Sequence, residues 1–187
     1  AVLNLRNRTL ISALNLLERA GAAGSAGTGF TATSTSAEAA VEAALHVAEP
    51  VEALRDGLRR DFGVAVYDSA SGAADGASVW LLAVKPQVMR GVCESLAAVG
   101  RSRRPLVVSI AAGITAAQLD RWLGGDTAVV RTMPNTPALL GAGITPLFAN
   151  ARVDAAGRGA SERLLAAAGK TVWIDDEALV DGVTAVS

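Results

Sequence analysis

The chain has 187 residues, of which 51% are hydrophobic and 19% charged, a balance that suits one compact domain or one domain with a piece of a second. Seventeen basic residues against eighteen acidic ones give a net charge of −1, so no basic field exists to hold nucleic acid through its phosphates. A single cysteine, Cys93, and a single histidine, His46, exclude an internal disulfide and a Cys–His metal cluster. This cysteine usage points to a reducing, cytoplasmic setting. No apolar run approaches the ~20 residues that span a membrane.

Residues 1–44 give little regular pattern. Ala1 to Leu5 suits a strand and Thr9 to Ala20 a helix, with Leu10, Leu14 and Leu17 aligned. Gly21 to Ala44 is then dominated by Gly, Ala, Ser and Thr, with Ala37 to Ala44 as a short Ala/Glu helix. The run Gly21 to Gly29 has the look of a phosphate-binding loop. Such a loop must follow a strand and open a helix, and here a helix precedes it, so it reads as a linker.

From residue 45 short β-branched runs alternate with longer amphipathic ones. Leu45–Ala48 is a strand, and Val51–Phe62 a helix with Val51, Leu54, Leu58 and Phe62 on one face, ended by Gly63. Val64–Tyr67 is a strand, and Ser69–Gly76 a loop or a poor short helix. Ser78–Val84 is apolar without alternation, which predicts a strand buried on both faces. Pro86 opens a helix whose buried stripe is Val88, Val92, Leu96 and Val99. Pro105–Ala111 is another buried strand. Thr115-Ala116-Ala117-Gln118 is a capping box, opening a helix with Leu119, Trp122 and Leu123 on its apolar face and Gly124-Gly125 at its end. Thr127–Arg131 and Ile144–Ala149 are strands, Asp154–Ala168 a helix closed by Gly169, and Thr171–Ile174 a strand. A last helix begins at Asp176. Alternation of this kind predicts an α/β fold, a parallel sheet with helices on both faces. Ligands of such sheets bind beyond the carboxyl ends of the strands.

Four loops therefore invite inspection. Ala83-Val84-Lys85-Pro86 places one of two lysines where a buried strand meets a helix, near the expected position of cofactor phosphates. Against this stands an ordinary solvated lysine. Ala111-Ala112-Gly113 is small enough for a ligand to approach the backbone closely, or is simply a tight turn. Met133-Pro134-Asn135-Thr136-Pro137 offers an amide and a hydroxyl between two prolines, as a substrate wall or as a strand–turn–helix. Glu49 follows a strand, where an acid binds ribose hydroxyls and favours NAD over NADP; a surface Glu before Pro50 is the plainer reading. Cys93 and His46 read as packing residues. Asp175, Asp176 and Glu177 read as the acidic first turn of a helix.

The order of these loops carries more than any one of them. Leu82-Ala83-Val84-Lys85-Pro86-Gln87, Ser109 to Ile114, Val130 to Pro137 and Val183-Thr184-Ala185-Val186-Ser187 together closely resemble the pyrroline-5-carboxylate reductases. The resemblance covers about residues 45–187. It implies a Rossmann-type, mostly parallel sheet, followed by the start of a truncated all-helical domain. It implies a cytoplasmic oxidoreductase of proline biosynthesis that reduces 1-pyrroline-5-carboxylate to L-proline with NADP as cofactor, NAD being possible. Ala83, Val84, Lys85, Pro86, Ala111, Ala112 and Gly113 match cofactor-contacting positions, and Asn135 and Thr136 the loop that faces nicotinamide and substrate. No residue is assigned a catalytic acid–base role and no metal is expected. The full-length enzyme is expected to be a homo-oligomer, without nucleic-acid or membrane partners.

Three departures accompany the resemblance. The place of the family's Gly-rich first turn, Leu3 to Leu10, holds no glycine, and Ala70 stands where the family commonly has Asn. The family's Ser-Gly-Ser-Gly-Pro-Ala-Tyr run would begin at Ser187. The expected organisation is thus an aberrant or divergent segment over 1–44, an NAD(P)-binding domain over 45–175, and over 176–187 the start of a truncated helical dimerisation domain. The chain is expected to be an incomplete, inactive fragment. The alternatives are another Rossmann-type reductase, a non-catalytic dinucleotide-binding module, and a structural α/β protein.

Overall fold

The computed structural model describes residues 45–134, 143–166 and 169–185. The elements expected within 1–44 lie outside them. In chain order the elements are β1 (His46–Ala48), α1 (Glu52–Phe62), β2 (Ala65–Tyr67), α2 (Ala70–Ala74), β3 (Val79–Leu82), α3 (Pro86–Arg103), β4 (Leu106–Ser109), α4 (Ala116–Trp122), β5 (Ala128–Thr132), β6 (Gly143–Ala149), α5 (Ala155–Ala166), β7 (Gly169–Trp173) and α6 (Leu179–Ala185). Strands β1 and β2 pair in parallel, and β3-β4-β5-β6-β7 form a second sheet in that order. This is the expected Rossmann-type α/β fold with a mostly parallel sheet.

The continuous apolar runs are explained by burial on both faces. Trp80, Leu82, Val107 and Val129 pack into one cluster with Met89, Cys93 and Leu96 of α3 and Leu119 of α4. Leu81, Val108 and Val130 point the other way, onto Leu58 of α1 and Leu165 of α5. Helices thus cover both faces, and each fully buried Leu contributes about 1.5–3 kcal/mol. Two strands depart from the direction of β3, β4 and β5. β6 runs antiparallel to β5, with Arg131 opposite Phe148, and β7 then runs parallel to β6.

Local signals mostly hold. Gly63 ends α1 at φ 64, donating its N–H to Arg59 O at 3.1 Å. The capping box is formed, with the Thr115 side chain accepting from the Gln118 N–H at 3.2 Å and Gln118 Oε1 accepting from the Thr115 N–H at 2.9 Å. Ser69–Gly76 resolves into the five-residue helix α2.

Three expectations need correction. On α1 only Leu58 is buried; Val51, which precedes the helix, and Leu54 are exposed, because α1 touches the sheet over a narrow stripe. The fully buried stripe of α3 is Met89, Cys93, Leu96 and Gly100; of the expected stripe Leu96 is buried, Val92 and Val99 pack half-buried against the same core, and Val88 is exposed. The last helix begins at Leu179 rather than Asp176, since Asp176 instead accepts the Ala178 N–H at 3.0 Å in a turn ahead of it. Among the described residues no helix is long and apolar enough to cross a membrane.

Candidate functional site

Three of the inspected loops leave the sheet side by side. Leu82 pairs with Ser109, and Ser109 with Arg131, so three parallel strands end in register. Ile110 extends the ladder by one bond, donating to Leu82 O at 3.2 Å. Ala83–Pro86, Ala111–Gly113 and Thr132–Pro134 therefore emerge together at the carboxyl edge, where ligands of such sheets bind.

Each loop has a distinct surface. Ala83 and Val84 are buried, while Lys85 is exposed in extended backbone just before Pro86, the first residue of α3. Ala111 is buried, and Ser109 Oγ accepts its N–H at 3.3 Å. Ala112 and Gly113 are exposed. Gly113 adopts φ +70, which L side chains rarely take, and nothing lies within 4 Å of where its Cβ would be. The backbone there is open to close approach. Met133 and Pro134 are half-buried at the threshold of the third loop; Asn135 and Thr136 lie outside the described residues.

Beside the first loop is a cleft of about 480 Å³ at the carboxyl ends of β1, β2 and β3. Its lining includes Ala48, Pro50 and Asp68 after β1 and β2, Val84 after β3, and Gln87 and Val88 of α3. Ala70 also lines it. This placement accounts for the exposure of Val88, 47%, on a helix face read as buried. The side chain faces an open cleft instead of the sheet.

Glu49 is not the surface residue of the plainer reading, since it is fully buried. Its Oε1 accepts the Val51 N–H at 2.8 Å. Arg55 Nη1 donates to the carbonyls of Glu49 and Pro50 at 2.8 and 2.9 Å. A guanidinium is thereby pinned at the end of β1, a group that sequence reasoning missed. Its signal was an Arg in the first turns of the helix that follows that strand.

A second missed group lies on β5. Arg131, 2% exposed, meets Asp181 of α6 at 2.7 Å and Glu177 Oε1 at 3.6 Å. Glu177 Oε1 also accepts the Ala116 N–H at the start of α4, at 2.6 Å. The acidic run before α6 thus yields one residue, Glu177, that ties three elements together.

The remaining candidates are structural. His46 Nδ1 lies 3.2 Å from Ala73 O, with the ring packed 5.2 Å from that of Tyr67. Cys93 is buried in the core; burial, and secondarily the Glu94 carboxylate, push its thiol up to about 12, which leaves it a poor nucleophile. Among the described residues no three His, Cys, Asp or Glu side chains gather as a metal site.

Comparison with known proteins agrees with this geometry. Residues 18–113 match the family described as NADP oxidoreductase coenzyme F420-dependent, a match that begins inside the N-terminal segment set apart above. The chain is 46% identical over 145 residues to pyrroline-5-carboxylate reductase of Pseudomonas aeruginosa, covering 78% of this chain and 53% of that one. It is 45% identical over 124 residues to the Haemophilus influenzae enzyme of the same name, covering 66% and 45%. It thus spans about half the length of these relatives. Among solved structures, a pyrroline-5-carboxylate reductase from Coxiella burnetii aligns with a TM-score of 0.78 at 28% identity, over 94% of this chain and 60% of that one. The chain belongs to the family of NADP oxidoreductases described as coenzyme F420-dependent, and among proteins of known name it is similar to the pyrroline-5-carboxylate reductases.

Proposed function

We propose that this protein reduces 1-pyrroline-5-carboxylate to L-proline with NADPH, and that the described residues supply its cofactor site. The observation that carries the reading is the register of Leu82, Ser109 and Arg131, which sets three loops side by side at the carboxyl edge next to the cleft.

The residues present fit the cofactor. A cleft of about 480 Å³ is of the size that holds a small molecule. Val88 offers apolar surface to an adenine ring. Lys85 supplies a cation for phosphate, and Ala111, Ala112 and Gly113 allow a close backbone approach. At the end of β1 the Glu49 carboxylate is turned onto its own loop and Arg55 stands beside it, an arrangement that suits a ribose phosphate and so favours NADPH over NADH.

Reduced nicotinamide, when bound, supplies the hydride that reduces the imine carbon. A protonated imine is already electrophilic, so the protein needs to align the two reactants and hold the substrate carboxylate, which is a proximity effect. We assign Asn135 and Thr136 to the substrate side. The same reading takes residues 45–175 as the NADP-binding domain, 176–187 as the start of a helical domain and 1–44 as a divergent start. It expects a cytoplasmic homo-oligomer.

The test is an assay of imine-dependent NADPH oxidation with L-proline as product. It compares this chain with the same chain joined to the C-terminal half of the Pseudomonas aeruginosa relative. Proline formation by the folded joined protein is expected. NADPH binding without any proline formation would overturn the substrate, and failure of both would overturn the cofactor as well.

A further inference from the structure

At the opposite, amino-terminal edge of the sheet lies a second cavity, of about 790 Å³. Val79, Leu106 and Ala128, the first residues of β3, β4 and β5, form its back. Three arginines line it: Arg104 after α3, Arg152 before α5, and Arg163 on α5. Two aspartates, Asp126 and Asp154, line it too, and both are already engaged. Asp126 Oδ1 holds Arg152 through Nη2 at 2.9 Å and Nε at 3.3 Å. Asp154 Oδ1 accepts the Gly157 N–H at 2.7 Å in the first turn of α5. Arg104 and Arg163 form no ion pair among the described residues.

Backbone conformation singles out the same place. Among the described residues two non-glycine residues adopt positive φ, Arg104 at 47° and Asp126 at 58°, and both line this cavity. Arg104 sits at the end of α3, donating its N–H to Gly100 O at 2.8 Å, a position where glycine is the ordinary occupant. A side chain there strains the backbone. Strain of this sort collects at functional sites, where it holds a group in place.

We propose that this cavity binds a phosphate-bearing small molecule, with its phosphoryl oxygens taken by the guanidinium forks of Arg104 and Arg163. Guanidinium matches phosphate geometry in two parallel hydrogen bonds, which a lone ammonium does not. Arg152 also lines the cavity, its charge met by Asp126 at 2.9 Å and Asp120 at 3.5 Å, and the α5 N-terminus lies alongside. The site is on the edge of the sheet opposite the NADP cleft, so occupancy of one leaves the other open.

The test uses inorganic pyrophosphate as probe, in calorimetric titration and thermal unfolding, with saturating NADPH present to occupy the cleft. Saturable binding with a rise in Tm is expected, because a ligand of the native state stabilises it by mass action. Arg163→Ala and Arg104→Gly should each weaken binding by roughly tenfold or more, the order of one charge-assisted contact. Arg104→Gly should do so with Tm in the absence of pyrophosphate unchanged or raised, since glycine relieves the strain at φ 47. That second readout separates lost binding from lost folding. Absence of saturable pyrophosphate binding, or binding unaltered in both variants, would overturn the proposal.

Discussion

Arg131 on β5 and Asp181 on α6, fifty residues apart in sequence, meet at 2.7 Å. The guanidinium is buried at the end of a central strand, and the carboxylate is half-exposed on the last described helix. Glu177 completes the clamp by accepting the Ala116 N–H and lying 3.6 Å from Arg131 Nη1. One arginine thus sets the position of α6 against β5. Removing both carboxylate charges leaves a buried cation without a counter-charge. Glu177→Gln with Asp181→Asn should cost about 3 kcal/mol in a urea unfolding experiment, whereas Arg131→Met should cost less, since no charge remains buried. Equal losses for the two would contradict the clamp.

Cys93 should resist thiol reagents in the native state and react on unfolding. Its folded value of about 12 lies above the ordinary thiol value of 9.0. The native state therefore keeps a proton that the unfolded chain releases. This contribution to stability is fully present below about pH 9 and is lost as pH rises toward about 12. Cys93→Ala should show a smaller fall in urea midpoint between about pH 8 and pH 10.5 than the parent protein. An identical fall in both would refute the assignment.

The strands were legible because burial on both faces leaves an unbroken apolar run. Ser78–Val84 and Pro105–Ala111 contain the four-residue strands β3 and β4. The reversed direction of β6 and β7 was not legible, because residue pattern carries no record of which way a strand runs. The α3 stripe was misread at Val88 for a physical reason. Hydrophobic periodicity cannot separate a valine packed on the sheet from one lining a cleft, and Val88 does the second. The loops around Lys85 and Gly113 were found through their order along the chain, and the register of their strands sets them side by side. Arg131, Glu177 and Asp181 escaped because contacts spanning 46 and 50 residues leave no local signature. The spacing of two acids four apart across from a buried arginine becomes informative only when strand and helix are placed.

Val88 offers a direct probe of the cleft. It is exposed near the start of α3, so Val88→Asp should leave stability within about 0.5 kcal/mol of the parent. A carboxylate in the cleft repels cofactor phosphates and removes an apolar surface, so the NADPH dissociation constant should rise by roughly tenfold or more. A thermal scan and a fluorescence titration on the same sample separate the two effects. Unchanged affinity would remove Val88 from the site.

The most direct measurement is a fluorescence titration of this chain with NADPH and with NADH, repeated for Lys85→Ala. The account predicts saturable binding, tighter for NADPH than for NADH. Loss of the exposed lysine should raise the NADPH dissociation constant by about 10- to 150-fold, equivalent to about 1.5–3 kcal/mol for one charge-assisted contact, with Tm unchanged. No saturable binding of either nucleotide, or an affinity that Lys85→Ala leaves as it was, would contradict the placement of the cofactor at this edge of the sheet.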